Sequence, residues 1–296
     1  MEIELTEAAM FAKINGTKIY FDVEGSGYVP QGATMVKRPV LFAVHGGPGS
    51  DHSDLKPWLT PLTEYYQIVY IDQRCNGQSE RVDPATCTFE QLADDIEALK
   101  DYLGLEKISL LGHSFGGMIA QVYATRYPQS LDKLLLICTA PSKEFYTEAL
   151  AFAKRIGTPE QLAVIPELFE GNIRDEQHAI KWWDLCYDLY FHHKDEQVMM
   201  ETGNRPIGSL EVANYTFKHL MPKYDVRESI KSLTMPTLIV SAKHDWITPA
   251  TQGEVMHKLI QGSQFIVYEQ SGHMPFIEEH HKFIQDVTSF LVEEKS

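Results

Sequence analysis

At 296 residues, with 44% hydrophobic and 23% charged residues, the chain is long enough to bury a full core and fits one domain carrying an insertion. A formal net charge of −15 argues against nucleic-acid phosphates and anionic membranes as partners, and no apolar run approaches the roughly 20 residues of a membrane helix. Cys75, Cys87, Cys138 and Cys186 show no CxxC or CxH spacing, so reduced thiols are expected rather than a zinc site or a disulfide framework.

The opening "MEIELTEAAM" lacks the basic start and apolar core of a secretory signal, so a cytoplasmic address is expected by default. "INGTKIYFDV" (14–23) is an Asn-Gly turn between β-rich residues and predicts a hairpin of outer strands. Next come short, nearly continuous apolar runs at 40–46, 68–73, 107–112, 134–139, 237–242 and 265–270, the pattern of parallel strands buried on both faces. Between them Leu92, Ile96, Leu99 and Leu103 line one face of a helix, with Thr88 and Gln91 as a capping box and Gly104 as the stop. Strand and helix alternation predicts a doubly wound α/β sheet. A final helix should bury Phe283, Val287, Phe290 and Leu291.

From about Pro141 to Val226 no strand-like run occurs, only aromatic and amphipathic helical segments such as "AIKWWDLCYDLYF" (179–191). This predicts a core of 1–140 and 227–296 with a helical cap inserted at 141–226, a position from which it would cover a site.

Gly112-His113-Ser114-Phe115-Gly116 fits the G-x-S-x-G elbow, in which a serine occupies a strained strand-to-helix turn and the glycines avoid collisions with both neighbours. A serine hydroxyl is a weak nucleophile and needs a histidine base oriented by a carboxylate. Asp245 in "SAKHDWITP" and His273 in "EQSGHMPFIEE" follow two later strands, on the carboxyl edge of the sheet where Ser114 also lies. In "HGGPGS" (45–50) exposed backbone N–H groups are expected, so Gly47 and Phe115 are the candidate donors to a developing oxyanion. His113 should pack or hydrogen-bond beside the nucleophile, and His244 should face solvent. His192-His193 and His280-His281 are read as adjacent pairs on helices whose members diverge by about 100°, not as metal sites.

With these residues in view, the chain resembles the α/β-hydrolase family, and within it the proline iminopeptidase-like branch, over nearly its whole length. "HGGPG" followed by "DQRCNGQS" (72–79) carries the resemblance, with Cys75 where that branch has glycine. The elbow "GHSFGG" departs from the branch toward esterases and C–C bond hydrolases. The resemblance implies an α/β-hydrolase fold, a triad of Ser114, Asp245 and His273, an oxyanion hole at Gly47 and Phe115, and no cofactor or metal.

It also implies acidic cap residues that hold a free α-amino group. Asn214 stands near where one is expected, and Glu167, Glu170, Glu201 and Glu211 are the substitutes considered. The reading is a serine hydrolase acting on a small-molecule or short-peptide substrate through an acyl-enzyme, with release of an N-terminal residue first among the options. The alternatives are an esterase or lactonase, whose cap pocket would be lined by Trp182, Trp183, Tyr187 and Phe217, and a non-catalytic ligand receptor on the same fold. Oligomeric state is left open.

Overall fold

Asn15 and Gly16 both take positive φ (45° and 75°), which matches the twist of a two-residue hairpin turn, and they join β1 (Phe11–Ile14) to β2 (Thr17–Glu24). The computed structural model describes residues 10–293, so most of the "MEIELTEAAM" segment lies outside the described residues. A second hairpin, β3 (Tyr28–Gln31) with β4 (Thr34–Lys37), was not anticipated. It is almost wholly exposed and therefore carries no apolar alternation to read.

The remaining strands are β5 (Val40–Val44), β6 (Gln67–Ile71), β7 (Ile108–His113), β8 (Leu131–Ile137), β9 (Thr237–Ala242) and β10 (Gln264–Tyr268). Among the described residues they form an eight-stranded sheet with β1 and β2, in the order β1-β2-β6-β5-β7-β8-β9-β10. The β1–β2 and β2–β6 pairs are antiparallel, and all pairs from β6 to β10 are parallel. Every residue of β5 is buried, and its side chains alternate between two cores: Val40, Phe42 and Val44 enter one, Leu41 and Ala43 the other. β10 departs from the expectation of strands buried on both faces. It is the edge strand, and most of its residues stay partly exposed.

The helices occupy both faces. α1 (Phe89–Tyr102) and α2 (Phe115–Arg126) join the first core. Thr88 caps α1 through Gln91 N–H, but the Gln91 side chain donates to Asp95 instead of returning to Thr88, so the expected capping box is only half formed. The complete box is at Thr158 and Gln161. It opens the second of the helices between β8 and β9, which are α3 (Phe145–Ile156), α4 (Pro159–Phe169), α5 (Glu176–Cys186), α6 (Glu196–Gly203) and α7 (Leu210–Tyr215). After them come α8 (Ala250–Leu259), α9 (Pro275–Glu278) and α10 (His280–Val292), the last burying Phe283, Val287, Phe290 and Leu291 in the second core. β8 starts earlier than its apolar run, because Leu131 and Lys133 already pair with Ile108 and Ser109 of β7, and the Lys133 ammonium donates to the carbonyls of Phe290, Leu291 and Glu293 at the end of α10.

One feature of the topology positions the site. The sheet order reverses at β5, which pairs with β6 on one side and β7 on the other, so the loops leaving β5 and β7 diverge and open a crevice at the strands' carboxyl ends. The register sets Val44 beside Gly112, which brings the two following loops, 45–50 and 113–115, side by side.

Candidate active site

β7 ends at His113 and α2 begins at Phe115, leaving Ser114 alone between them at φ 53° and ψ −119°. That strained conformation is held from several directions. Ser114 N–H donates to Ile137 at 2.9 Å, and its carbonyl accepts from Thr139 Oγ1 at 2.7 Å and from Gly117 N–H at 2.9 Å. The glycines are steric necessities. A Cβ on Gly112 would lie 2.4 Å from the Gly116 carbonyl oxygen, and one on Gly116 would lie 2.3 Å from that of Val44.

His273 sits in the loop after β10 and is only 3% exposed. Its N–H donates to the Tyr190 carbonyl at 2.7 Å, and its own carbonyl accepts from His113 Nε2 at 3.0 Å. Its Nδ1 meets Asp245 Oδ2 at 2.8 Å. Asp245, fully buried in the loop after β9, accepts further bonds from Ile247 N–H and Thr248 N–H (3.0 Å each) and from Thr248 Oγ1 (2.8 Å). With Nδ1–H committed to the carboxylate, Nε2 is the nitrogen left to act as a base toward the cavity, whose wall both His273 and Ser114 join.

The sulfur of Cys138, Asp245 and His273 offer ligand atoms within 4.8 Å of one another. Burial and the Asp245 charge raise the Cys138 thiol well above its ordinary range, however, and a protonated thiol is a poor ligand. Asp245 and His273 are already committed to each other.

Gly47, at φ 110°, turns the loop after β5 under the elbow, and a Cβ on Gly46 would stand 3.2 Å from Ser114 Cβ. Phe115 is the first residue of α2, so its N–H has no intrahelical acceptor. Gly47 and Phe115 both line the cavity beside Ser114.

The segment "DQRCNGQS" braces this loop, a role that sequence reasoning did not find. Gln73 Nε2 donates to the His45 carbonyl at 2.7 Å, while Gln73 N–H donates to His45 Nε2 at 3.2 Å. His45 therefore carries its proton on Nδ1, which donates to the Gly46 carbonyl at 2.8 Å, and burial lowers its pKa so that the ring stays neutral. Asn76 Oδ1 accepts from Gly49 N–H at 2.8 Å. Asp72 receives His52 Nδ1 at 2.7 Å and Gln78 N–H at 2.7 Å. Arg74 is anchored by a two-pronged contact with buried Asp95, both bonds 2.8 Å. In the sequence the segment stood out as part of the motif that carries the family resemblance and as a dense run of polar residues straight after a buried strand, neither of which specifies the bracing contacts.

The helical insertion and the crevice enclose a cavity of about 720 Å³. Trp182, Trp183, Tyr187 and Phe217 all contribute to its wall. Trp182 is otherwise buried and donates its Nε1–H to the Val164 carbonyl, whereas Trp183 is 43% exposed. The cavity carboxyl groups are those of Asp54, Glu176, Asp184, Asp188 and Glu196, and no lysine or arginine is among the lining residues.

Glu167, Glu170, Glu201 and Glu211 do not line it, which corrects their place as candidates. Glu167 instead pairs with His178, and Glu201 accepts from Gln197. Asn214 does line the cavity, but its amide is spent on the backbone of Ile173, accepting at 3.2 Å and donating at 2.6 Å.

Two histidine expectations also change. His192 and His193 lie in a loop, not a helix, and His244 is half-buried with its ring stacked on His192 at 3.6 Å.

Residues 39–280 match the family model for the alpha/beta hydrolase fold. A proline iminopeptidase of Lactobacillus helveticus is 30% identical over 278 residues, covering 86% of this chain and 90% of that protein. The proline iminopeptidase PfmaB of Pestalotiopsis fici is 27% identical over 293 residues, covering 95% and 98%. Among solved structures, an alpha/beta fold family hydrolase from Bacillus anthracis superposes with a TM-score of 0.79 at 23% identity, covering 95% of this chain and 98% of that one.

Proposed function

This chain belongs to the alpha/beta hydrolase fold family, in its proline iminopeptidase-like branch, and from that premise we propose that it is a serine hydrolase releasing an N-terminal residue from a small amide or short peptide. Ser114 Oγ attacks the scissile carbonyl while His273 Nε2 takes its proton. Asp245 fixes the imidazole tautomer and stabilises the imidazolium that forms. The oxyanion is received by the N–H groups of Gly47 and Phe115. Collapse of the tetrahedral species expels the amine, which takes the proton from His273. A water molecule then attacks the acyl-enzyme as His273 takes its proton, the bond to Ser114 Oγ breaks with return of that proton to Oγ, and the N-terminal residue leaves as the free acid.

The observation that carries the amide reading is the sign of the cavity. Glu176, Asp184 and Glu196 line it, with no lysine or arginine among the lining residues, an environment that attracts a protonated amino terminus and repels an anionic substrate. A volume of about 720 Å³ fits a small molecule or a short peptide end. No cofactor enters the chemistry. No helix of the described residues is long and apolar enough to cross a membrane.

A second reading, ester or lactone hydrolysis by the same machinery, is favoured by the aromatic wall of Trp183, Tyr187 and Phe217 and by the Gly-His-Ser-Phe-Gly elbow. Prolyl-p-nitroanilide, its N-acetyl counterpart and p-nitrophenyl butyrate, assayed on one preparation, separate the two. Loss of turnover on acetylation supports the aminopeptidase. A tenfold or greater preference for the blocked substrate, about 1.4 kcal/mol in transition-state binding, overturns it.

A further inference from the structure

The cap reaches the catalytic base through its main chain, and a single side chain fastens the two together. Residues 190–193, where the aromatic stretch of the cap ends, lie directly against the loop that carries His273. A Cβ on Gly272 would stand 2.5 Å from the Tyr190 carbonyl oxygen and 3.0 Å from the His192 nitrogen. The same Tyr190 carbonyl accepts the His273 N–H at 2.7 Å, and the Tyr190 ring meets the imidazole edge-on at 5.6 Å.

Glu278, the last residue of α9, closes this junction. One of its carboxylate oxygens accepts from His192 N–H and from His193 N–H, each at 2.7 Å. The other accepts at 2.6 Å from the N–H of Gly272, the residue immediately before the base. Bonds from N–H groups to a carboxylate are about twice as strong as neutral ones, so one side chain holds cap and base loop in register.

The neighbouring acid does a different job. Glu279 accepts from Gln270 N–H at 3.0 Å and from Ser271 Oγ at 2.7 Å, and His244 N–H donates to the Ser271 carbonyl at 3.1 Å. The start of the loop is thus held by the core, whereas Glu278 holds its end against the cap. Elsewhere the cap is tied to the core independently, by Ser209 N–H to the Gly49 carbonyl at 2.9 Å and by Ile207 N–H to Asp51 at 2.8 Å. Loss of Glu278 should therefore loosen the base without releasing the cap.

We propose that Glu278 is a positioning residue for the reaction, clasping the cap to the base loop so that the His273 imidazole is held in place for proton transfer. The inference rests on the serine hydrolase reading. Glu278 does not line the cavity; it acts on His273 through the backbone of Gly272 and through the cap segment that presents the Tyr190 carbonyl.

The test compares the full chain with Glu278→Gln, Glu278→Ala and, as a control, Glu269→Gln, since Glu269 is exposed and pairs with Lys243. In Glu278→Ala, kcat on one chromogenic substrate should fall tenfold or more while KM stays within threefold. Glu278→Gln should recover part of the loss, because its amide oxygen can still hold the His192 and His193 N–H groups while its NH2 faces that of Gly272. The second readout needs no turnover. The proton between His273 Nδ1 and Asp245 gives a low-field proton NMR line, which should broaden or vanish in Glu278→Ala with circular dichroism unchanged. Glu269→Gln should match the parent in both. Should Glu278→Ala fail to fold, Glu278→Gln carries the test, with kcat lowered at least threefold and the line broadened. A parent-like kcat or an unchanged line in the variant that folds, or an equal loss in Glu269→Gln, overturns the assignment. So does a loss carried by KM alone. Parent-like turnover by Ser114→Ala would instead overturn the hydrolase reading and leave the NMR line to decide the clasp.

Discussion

The Nε2–H of His113, the residue immediately before Ser114, donates to the main-chain carbonyl of His273 at 3.0 Å, and the two rings lie 4.7 Å apart. The nucleophile's neighbour thus holds the loop that carries the base. Burial, and then the nearby His273, keep the His113 pKa well below its ordinary value, so its ring stays neutral and does not repel the imidazolium formed during reaction.

This gives the first prediction. His113→Phe keeps the ring shape but leaves the His273 carbonyl buried and unpaired, a cost of about 1–3 kcal/mol. kcat should fall by about tenfold or more with KM within threefold, and His113→Gln should recover part of the loss. Steady-state kinetics on one chromogenic substrate decides it. A pure KM effect would place His113 in substrate binding instead.

Removal of the proposed nucleophile or base should be far more severe. Ser114→Ala and His273→Ala are each expected to lower kcat by about four orders of magnitude, and the double variant should cost little more, since the two act as a unit. Circular dichroism should be unchanged. Additive losses would mean that they work separately.

The half-buried Asp54 on the cavity wall predicts a pH-dependent stability. With a folded-state pKa of about 7 against an ordinary value near 4, Asp54 holds its proton more tightly when folded. Its contribution is fully present below the unfolded-state pKa and is lost as pH rises through 7. Asp54→Asn should therefore match the parent near pH 4 and exceed it above pH 7, by about 1 kcal/mol or more after allowance for solvent reaching the cavity. Urea unfolding at several pH values measures this. A constant difference across pH would show that the carboxyl is not held neutral.

Two glycine substitutions separate steric from backbone cost. Gly116→Ala drives a Cβ to 2.3 Å from the Val44 carbonyl oxygen and 2.5 Å from that of His45, and should destabilise by about 3 kcal/mol. Gly104→Ala meets nothing within 4 Å, but φ is +66° there, so about 1 kcal/mol is expected. Comparable thermal shifts in the two variants would contradict the packing at the elbow.

Metal chelation should leave activity intact. Although Cys138, Asp245 and His273 lie close enough to share an ion, the proposed mechanism commits the last two to each other. Inactivation by EDTA that zinc or manganese reverses would require a different mechanism.

Much of the architecture was legible in the chain because it rests on local rules. Buried parallel strands announce themselves as short apolar runs, the Asn15–Gly16 turn as the pair its twist requires, and the elbow as glycines flanking a serine where a strand meets a helix. Candidates for the base and acid could be found because each had to follow a strand on one edge of a parallel sheet. Tertiary structure decided what depends on partners distant in sequence. Gln91 turned to Asp95 rather than closing its box, Lys133 reached the carbonyls at the end of the last helix, and His244 left solvent to stack on His192. The same holds for the site: Gln73 braces His45 across 28 positions, and the Asn214 amide is tied to the backbone of Ile173. A side chain's hydrogen bonds and charge environment are set by whatever the fold packs against it, and nothing in its immediate neighbours along the chain specifies that.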